Sequence, residues 1–122
     1  MIVTGAWWDL VDEIATHRVG AILRAYPKEV RPIMLRWSKD NDMWKRRTSI
    51  ICQTRSKEKA DVTLLHACIE PSIDSKEFFL RKAIGWALRE HARTDPRGVA
   101  RWVRENEHRL SGLSKREALK HL

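Results

Sequence analysis

Two stretches of the chain repeat one another. DNDMWKRRTSII, residues 40 to 51, sets against SKEFFLRKAIGW, residues 75 to 86, at an offset of 35. Cap residue falls on cap residue, Trp44 on Phe79, Arg46 on Arg81 and Arg47 on Lys82. The helices that follow match in part, Leu64 on Val99 and Cys68 on Val103. A period of this length suits two-helix solenoid repeats, in which each unit buries its apolar face only against its neighbours. Two amphipathic helices also align by chance, so the repeat needs the support of the remaining pattern.

That pattern is helical throughout, with no Asn-Gly or Gly-Gly hairpin turn and no sustained period-2 alternation. Breakers divide the chain into short pieces. The spacing predicts a first helix from Trp7 to Ala15 and a second from His17 to Tyr26, with Thr16 as its cap. Pro32 fits the first turn of a third, ending near Ser38. Asn41 or Asp42 opens a helix to about Thr54, and another covers Glu58 to Ile69 before Pro71. Ser75 is a suitable cap for a long helix to His91, and Asp95-Pro96 starts one to about Glu105. Ser114 and Glu117 have capping-box spacing for a last helix running to the chain end. The expected fold is all-α, with short helices stacked as antiparallel pairs in one domain over residues 1–122.

With 24 Lys and Arg against 16 Asp and Glu, the net charge of +8 favours a polyanionic partner, of which nucleic acid is the simplest. A soluble protein with a merely positive bias is the competing reading. Cys52 and Cys68 lie in apolar surroundings without CxxC spacing, as expected of small buried hydrophobes in a reducing compartment. No segment has the apolar length of a membrane span, and the start MIVTGAWWD does not resemble a signal peptide, so a cytoplasmic protein is expected. His17, His66, His91, His108 and His121 show no HxxxH or HExxH spacing, and the five glycines form no phosphate loop. No metal and no nucleotide cofactor is expected.

Three places combine aromatic and charged residues: WWDLVD (7 to 12), MWKRRTS (43 to 49) and FFLRKAIGWALRE (78 to 90). On a helix Trp8 and Asp12 share one face, and Lys82, Trp86 and Arg89 share another. Each place has a plain structural reading. Trp7 and Trp44 suit a core, and three adjacent basic residues fan around a helix, so at most two serve one partner. Trp86 suits core packing and surface stacking equally, and it follows Gly85, where another backbone or a ligand can approach closely. Together the places say more. Basic residues contact phosphates without sequence preference, and indole faces attract bases and cations. A carboxylate repels a polyanion, so one retained beside them calls for a chemical reason. Breaking a glycosidic bond builds positive charge on the sugar, which a carboxylate stabilises. The combination fits a DNA N-glycosylase acting on cationic bases.

WWDLVD, WKRR (44 to 47), SKEFFLRKAIGWALREHARTDP (75 to 96) and LSKREALKHL (113 to 122) resemble, in order and spacing, the AlkD-type DNA alkylation repair enzymes. The resemblance implies a right-handed superhelix of HEAT-like helix pairs with a basic groove for duplex DNA. It implies excision of cationic N3- and N7-alkylated purines without insertion of the base into a deep pocket, unlike the usual base flipping. By motif position it makes Asp12 the catalytic aspartate, Trp8 and Trp86 the tryptophans against the deoxyribose and backbone, and Arg47 the arginine on the phosphate beside the lesion. Lys82 and Arg89 follow as further backbone contacts on helix face and charge alone. Trp7 is expected to pack inward.

The sequence departs from the family in length. Enzymes of this type are about twice as long, with the WWDxVD-like motif near the middle, whereas here it starts at residue 7. The resemblance therefore covers the family's C-terminal half. Self-association, or pairing with the missing N-terminal repeats, would cover the apolar end of such a half-solenoid. Two other classes remain: a non-catalytic DNA-binding module, which has no need of Asp12, and a protein scaffold, which has no need of the charge.

Overall fold

The computed structural model describes residues 4–122, with side chains from Asp9 onward. Trp7 and Trp8, to which the sequence assigns an inward and a DNA-facing role, therefore have side chains outside the described residues. Among the described residues the chain is all-helical, a solenoid-like stack without strands. The helices are α1 (Thr4–Glu13), α2 (Gly20–Ala25), α3 (Pro27–Trp37), α4 (Met43–Ile51), α5 (Val62–Ile69), α6 (Phe78–Ala92), α7 (Pro96–Glu105) and α8 (Gly112–Ala118). Among the described residues no helix is long and apolar enough to cross a membrane.

The stack has two layers. α1, α4, α6 and α8 pack each on the next to form one layer. α3 packs on α5, and α5 reaches α7 through His66, whose ring stacks on Trp102 at 4.8 Å. The apolar pattern explains why α5 sits in the middle. Leu64 and Cys68, one turn apart, join Leu23, Val30, Met34 and Cys52 in one cluster. Leu65 and Ile69, on the adjoining face, join the larger cluster built around Leu80, Ile84, Leu88, Val99 and Val103. Both cysteines are fully buried, and burial pushes the Cys52 thiol up to about 12 and the Cys68 thiol up to about 11.

Several boundaries differ from the sequence expectation. Thr16 does not divide two helices: α1 and α2 are joined by a wide π-helical turn, Ile14–Val19. Buried Thr16 donates its hydroxyl back to the Asp12 carbonyl at 2.9 Å instead of capping. Pro27, not Pro32, occupies the first turn of α3, and Pro32 lies inside it. Pro32 and Lys28 are both exposed, so the carbonyl left without its partner meets water. Asp42 and Asp95 cap α4 and α7 as expected, accepting from the backbone N–H of Trp44 and Gly98. Asp61 caps α5, which begins at Val62, four residues after the expected Glu58. Ser75 accepts from the Glu77 N–H in a turn ahead of α6, whose own cap position is Glu77. Ser111, not Ser114, caps α8, and buried Ser114 donates instead to the Arg81 carbonyl at 3.0 Å.

Candidate active site

The repeat spacing continues further than the two aligned segments. Steps of 35 residues link Asp12, Arg47, Lys82 and Glu117, one residue on each of α1, α4, α6 and α8. These helices form the first layer, so one register position carries the charge order minus, plus, plus, minus across it.

At one end, the Arg47 guanidinium grips the Asp12 carboxylate with two parallel bonds. Nε donates to Oδ1 and Nη2 to Oδ2, each at 2.8 Å. Nη1 donates to the Phe79 carbonyl at 2.5 Å, tying the pair to α6. The Arg47 side chain is 8% exposed and that of Asp12 is 18%. This planar fork-to-fork geometry fixes the carboxylate in place and direction. The wide turn immediately after α1 adds a second tie, because Thr16 holds the Asp12 carbonyl and accepts from Arg55 Nε at 3.2 Å. Such π turns recur at functional sites. The result is a carboxylate held by Arg47 on a backbone that Thr16 ties down, and it still reaches solvent.

At the other end, Lys82 Nζ and Arg89 Nη1 converge on a single oxygen, Glu117 Oε1, at 3.7 and 3.0 Å. Gly85 permits the meeting. A Cβ on Gly85 would stand 2.5 Å from Glu117 Cβ and 3.4 Å from the Ser114 carbonyl oxygen, so the missing side chain serves the approach of α8. Trp86, beside Gly85, is half-buried against the larger core cluster. The other two basic residues of the WKRR run have structural partners. Arg46 donates to Ser72 Oγ and the Pro71 carbonyl, and Lys45 lies over the Trp37 ring and near Asp40.

The sequence model of one family, DNA alkylation repair enzyme, matches residues 1–122. The chain belongs to the DNA alkylation repair enzyme family. A solved structure described as a predicted DNA alkylation repair enzyme from Enterococcus faecalis is similar over 95% of this chain, with 33% identity and a TM-score of 0.84. The chain spans 53% of that protein. No curated protein matches.

Within this family member, the structure brings together Asp12 and Arg47 as one ion pair, and Lys82 and Arg89 as another cluster. Arg47, assigned to a phosphate by resemblance, has Asp12 and the Phe79 carbonyl as partners in the free protein. Glu117 and Thr16, read in the sequence only as capping residues, and the Phe79 carbonyl take part in these arrangements. Extending the 35-residue step one repeat in each direction from Arg47 and Lys82 would have found both carboxylates. Among the described residues no three His, Cys, Asp or Glu side chains are grouped to hold a metal ion.

Proposed function

We propose that this chain is the catalytic part of a DNA glycosylase that removes cationic N3- and N7-alkylated purines from duplex DNA, with Asp12 as the catalytic carboxylate. The observation that carries this reading is the bidentate Asp12–Arg47 pair, which fixes the direction of the carboxylate and leaves it partly open to solvent. In a cationic alkylpurine, the electrons of the breaking C1′–N bond neutralise the positive base, which leaves as a neutral molecule. No proton need be delivered to it. The positive charge moves to the sugar, and this is where a fixed carboxylate acts. Each Asp12 oxygen spends one lone pair on Arg47 and keeps another for the sugar or for the water that adds to C1′. Addition of that water releases one proton and leaves an abasic sugar.

Arg47 answers the objection that a carboxylate repels DNA. Paired with Asp12, it cancels that charge, so the backbone approaches a locally neutral centre inside a chain of net charge +8. A phosphate beside the lesion then takes a share of the same guanidinium. Trp8 and Trp86 would lie against the sugar and its backbone, and Lys82 and Arg89 against flanking phosphates. The thiols argue against the other common repair chemistry, transfer of the alkyl group to cysteine. Cys52 and Cys68 are fully buried with raised pKa values, whereas such transfer needs an accessible thiolate.

The test is release of 7-methylguanine from methylated duplex DNA by this chain and its Asp12→Asn variant. Asparagine keeps the size and loses the charge, so excision should fall about 100-fold or more, while duplex binding stays within a few-fold. Parallel loss of both would remove Asp12 from catalysis. The coverage of 53% of the solved relative favours one other reading, a DNA-binding module without activity. Salt-sensitive duplex binding with no release by either protein would establish that reading instead.

A further inference from the structure

The Lys82–Arg89–Glu117 cluster has features that a simple phosphate clamp does not need. Two cations share one carboxylate oxygen, and the carboxylate comes from a different helix. The Glu117 and Arg89 side chains are about equally buried, at 19% and 22% exposed, and Lys82 is the open member at 43%. Gly85 is part of the arrangement, since any side chain there would push Glu117 away. Glu117 also occupies the same register position as Asp12, three repeat steps later. Unlike Asp12, it receives no bidentate fork.

We infer that Glu117 is a positioning residue that competes with the DNA backbone for Lys82 and Arg89, standing in for a phosphate while no DNA is bound. This rests on the reading of the chain as a DNA enzyme, and deepens it by naming what sets its grip on undamaged DNA. A carboxylate oxygen and a phosphate oxygen offer these cations the same kind of acceptor. A phosphate arriving at Lys82 and Arg89 therefore gains only the difference between its own contacts and those with Glu117. The cations remain preorganised, and indiscriminate binding is weakened. An enzyme searching a large excess of normal duplex gains from that restraint.

The experiment measures affinity for an undamaged duplex at fixed salt, with helix content and melting temperature followed in parallel. Glu117→Gln should bind about three- to tenfold tighter, because two partly exposed ion pairs no longer compete. The gain should vanish when the same change is made in a Lys82→Gln, Arg89→Gln background. Persistence of the gain there would mean it reflects overall charge alone, and would overturn the inference. Glu117→Asp covers the case in which Glu117→Gln fails to fold. It keeps the charge but shortens the reach by one methylene, and should show a smaller gain of the same sign. No gain in a folded variant overturns the proposal while leaving the proposed enzyme intact. Absence of duplex binding by every form, the unaltered chain included, would overturn both.

Discussion

The two ion clusters of the first layer occupy equivalent repeat positions and are built to opposite ends. Asp12 and Arg47 meet through two parallel 2.8 Å bonds, with the guanidinium anchored a third time on α6. Glu117 meets two cations on one oxygen at 3.0 and 3.7 Å, with the lysine well exposed. A planar fork in a desolvated setting holds one geometry, and an ammonium on a flexible stem does not. The first arrangement suits a group that must stay where it is while charge develops opposite it. The second suits groups that exchange one anion for another. The same repeat register thus supports a rigid site and a yielding one, and the difference lies in which cation and how much water each cluster has.

The sharpest way to break this comparison is to remove one partner from each cluster and compare stability. Arg47→Ala leaves Asp12 and the Phe79 carbonyl without their donor in a buried setting. The expected cost is about 3–5 kcal/mol, read from the midpoint of urea unfolding. Glu117→Gln, among partly exposed partners, should cost no more than about 1 kcal/mol. Equal costs would mean that the two clusters do not differ as their geometry indicates. Gly85→Ala comes next. Its Cβ would stand 2.5 Å from Glu117 Cβ, so α8 must shift, at about 1–3 kcal/mol. The variant should also share the tighter undamaged-duplex binding of Glu117→Gln, and unchanged binding would detach Gly85 from the cluster.

How much of this was legible in the sequence depends on the range of the interaction. Asp42 and Asp95 were readable as caps because a cap acts within three residues. Ser75 and Ser114 fit the same local rule and were misplaced, because a neighbouring turn and the earlier Ser111 satisfied those helix ends first. Thr16 has the chemistry of a cap, yet the chain runs on through a π turn, which local propensity does not predict. Asp12, Arg47, Lys82 and Arg89 were nameable from motif and helix face. The pairing of Asp12 with Arg47, and of Lys82 and Arg89 with Glu117, was not, since each joins different helices and no local periodicity reports it. Gly85 was read as a place of close approach, and the structure supplies what approaches: the backbone and Glu117 of α8.

A smaller effect sharpens the rigid end of the comparison. Thr16 donates to the Asp12 carbonyl at 2.9 Å and accepts from Arg55 Nε at 3.2 Å. Thr16→Val removes both bonds and keeps the shape, so stability should fall by about 1 kcal/mol. If the wide turn helps aim Asp12, excision should fall further than that loss explains at a temperature where the variant is folded. An unaltered rate would leave the orientation of Asp12 to Arg47 alone.

The smallest expected effect sets the pH at which the two clusters can be compared at all. Burial first, and His91 second, lower the His66 pKa from its ordinary 6.5. His66 is stacked on Trp102 beside a hollow of about 200 Å³ that His91, Asp95, Arg101 and Glu105 also line. The unfolded chain therefore takes up a proton as pH drops through about 6.5, while folded His66 resists until lower pH. Protons then bind preferentially to the unfolded state, and stability falls as pH drops from about 6.5 toward the lower folded value; above that range the contribution is intact. His66→Phe keeps the stacking surface and removes the proton site, so this part of the acid slope should disappear from urea unfolding measured between pH 5 and 8. A slope unchanged in the variant would move the titration to another group. Either result fixes where the Arg47 and Glu117 variants must be compared. Above that slope their difference reports the ion pairs, and within it histidine protonation would be counted as part of both.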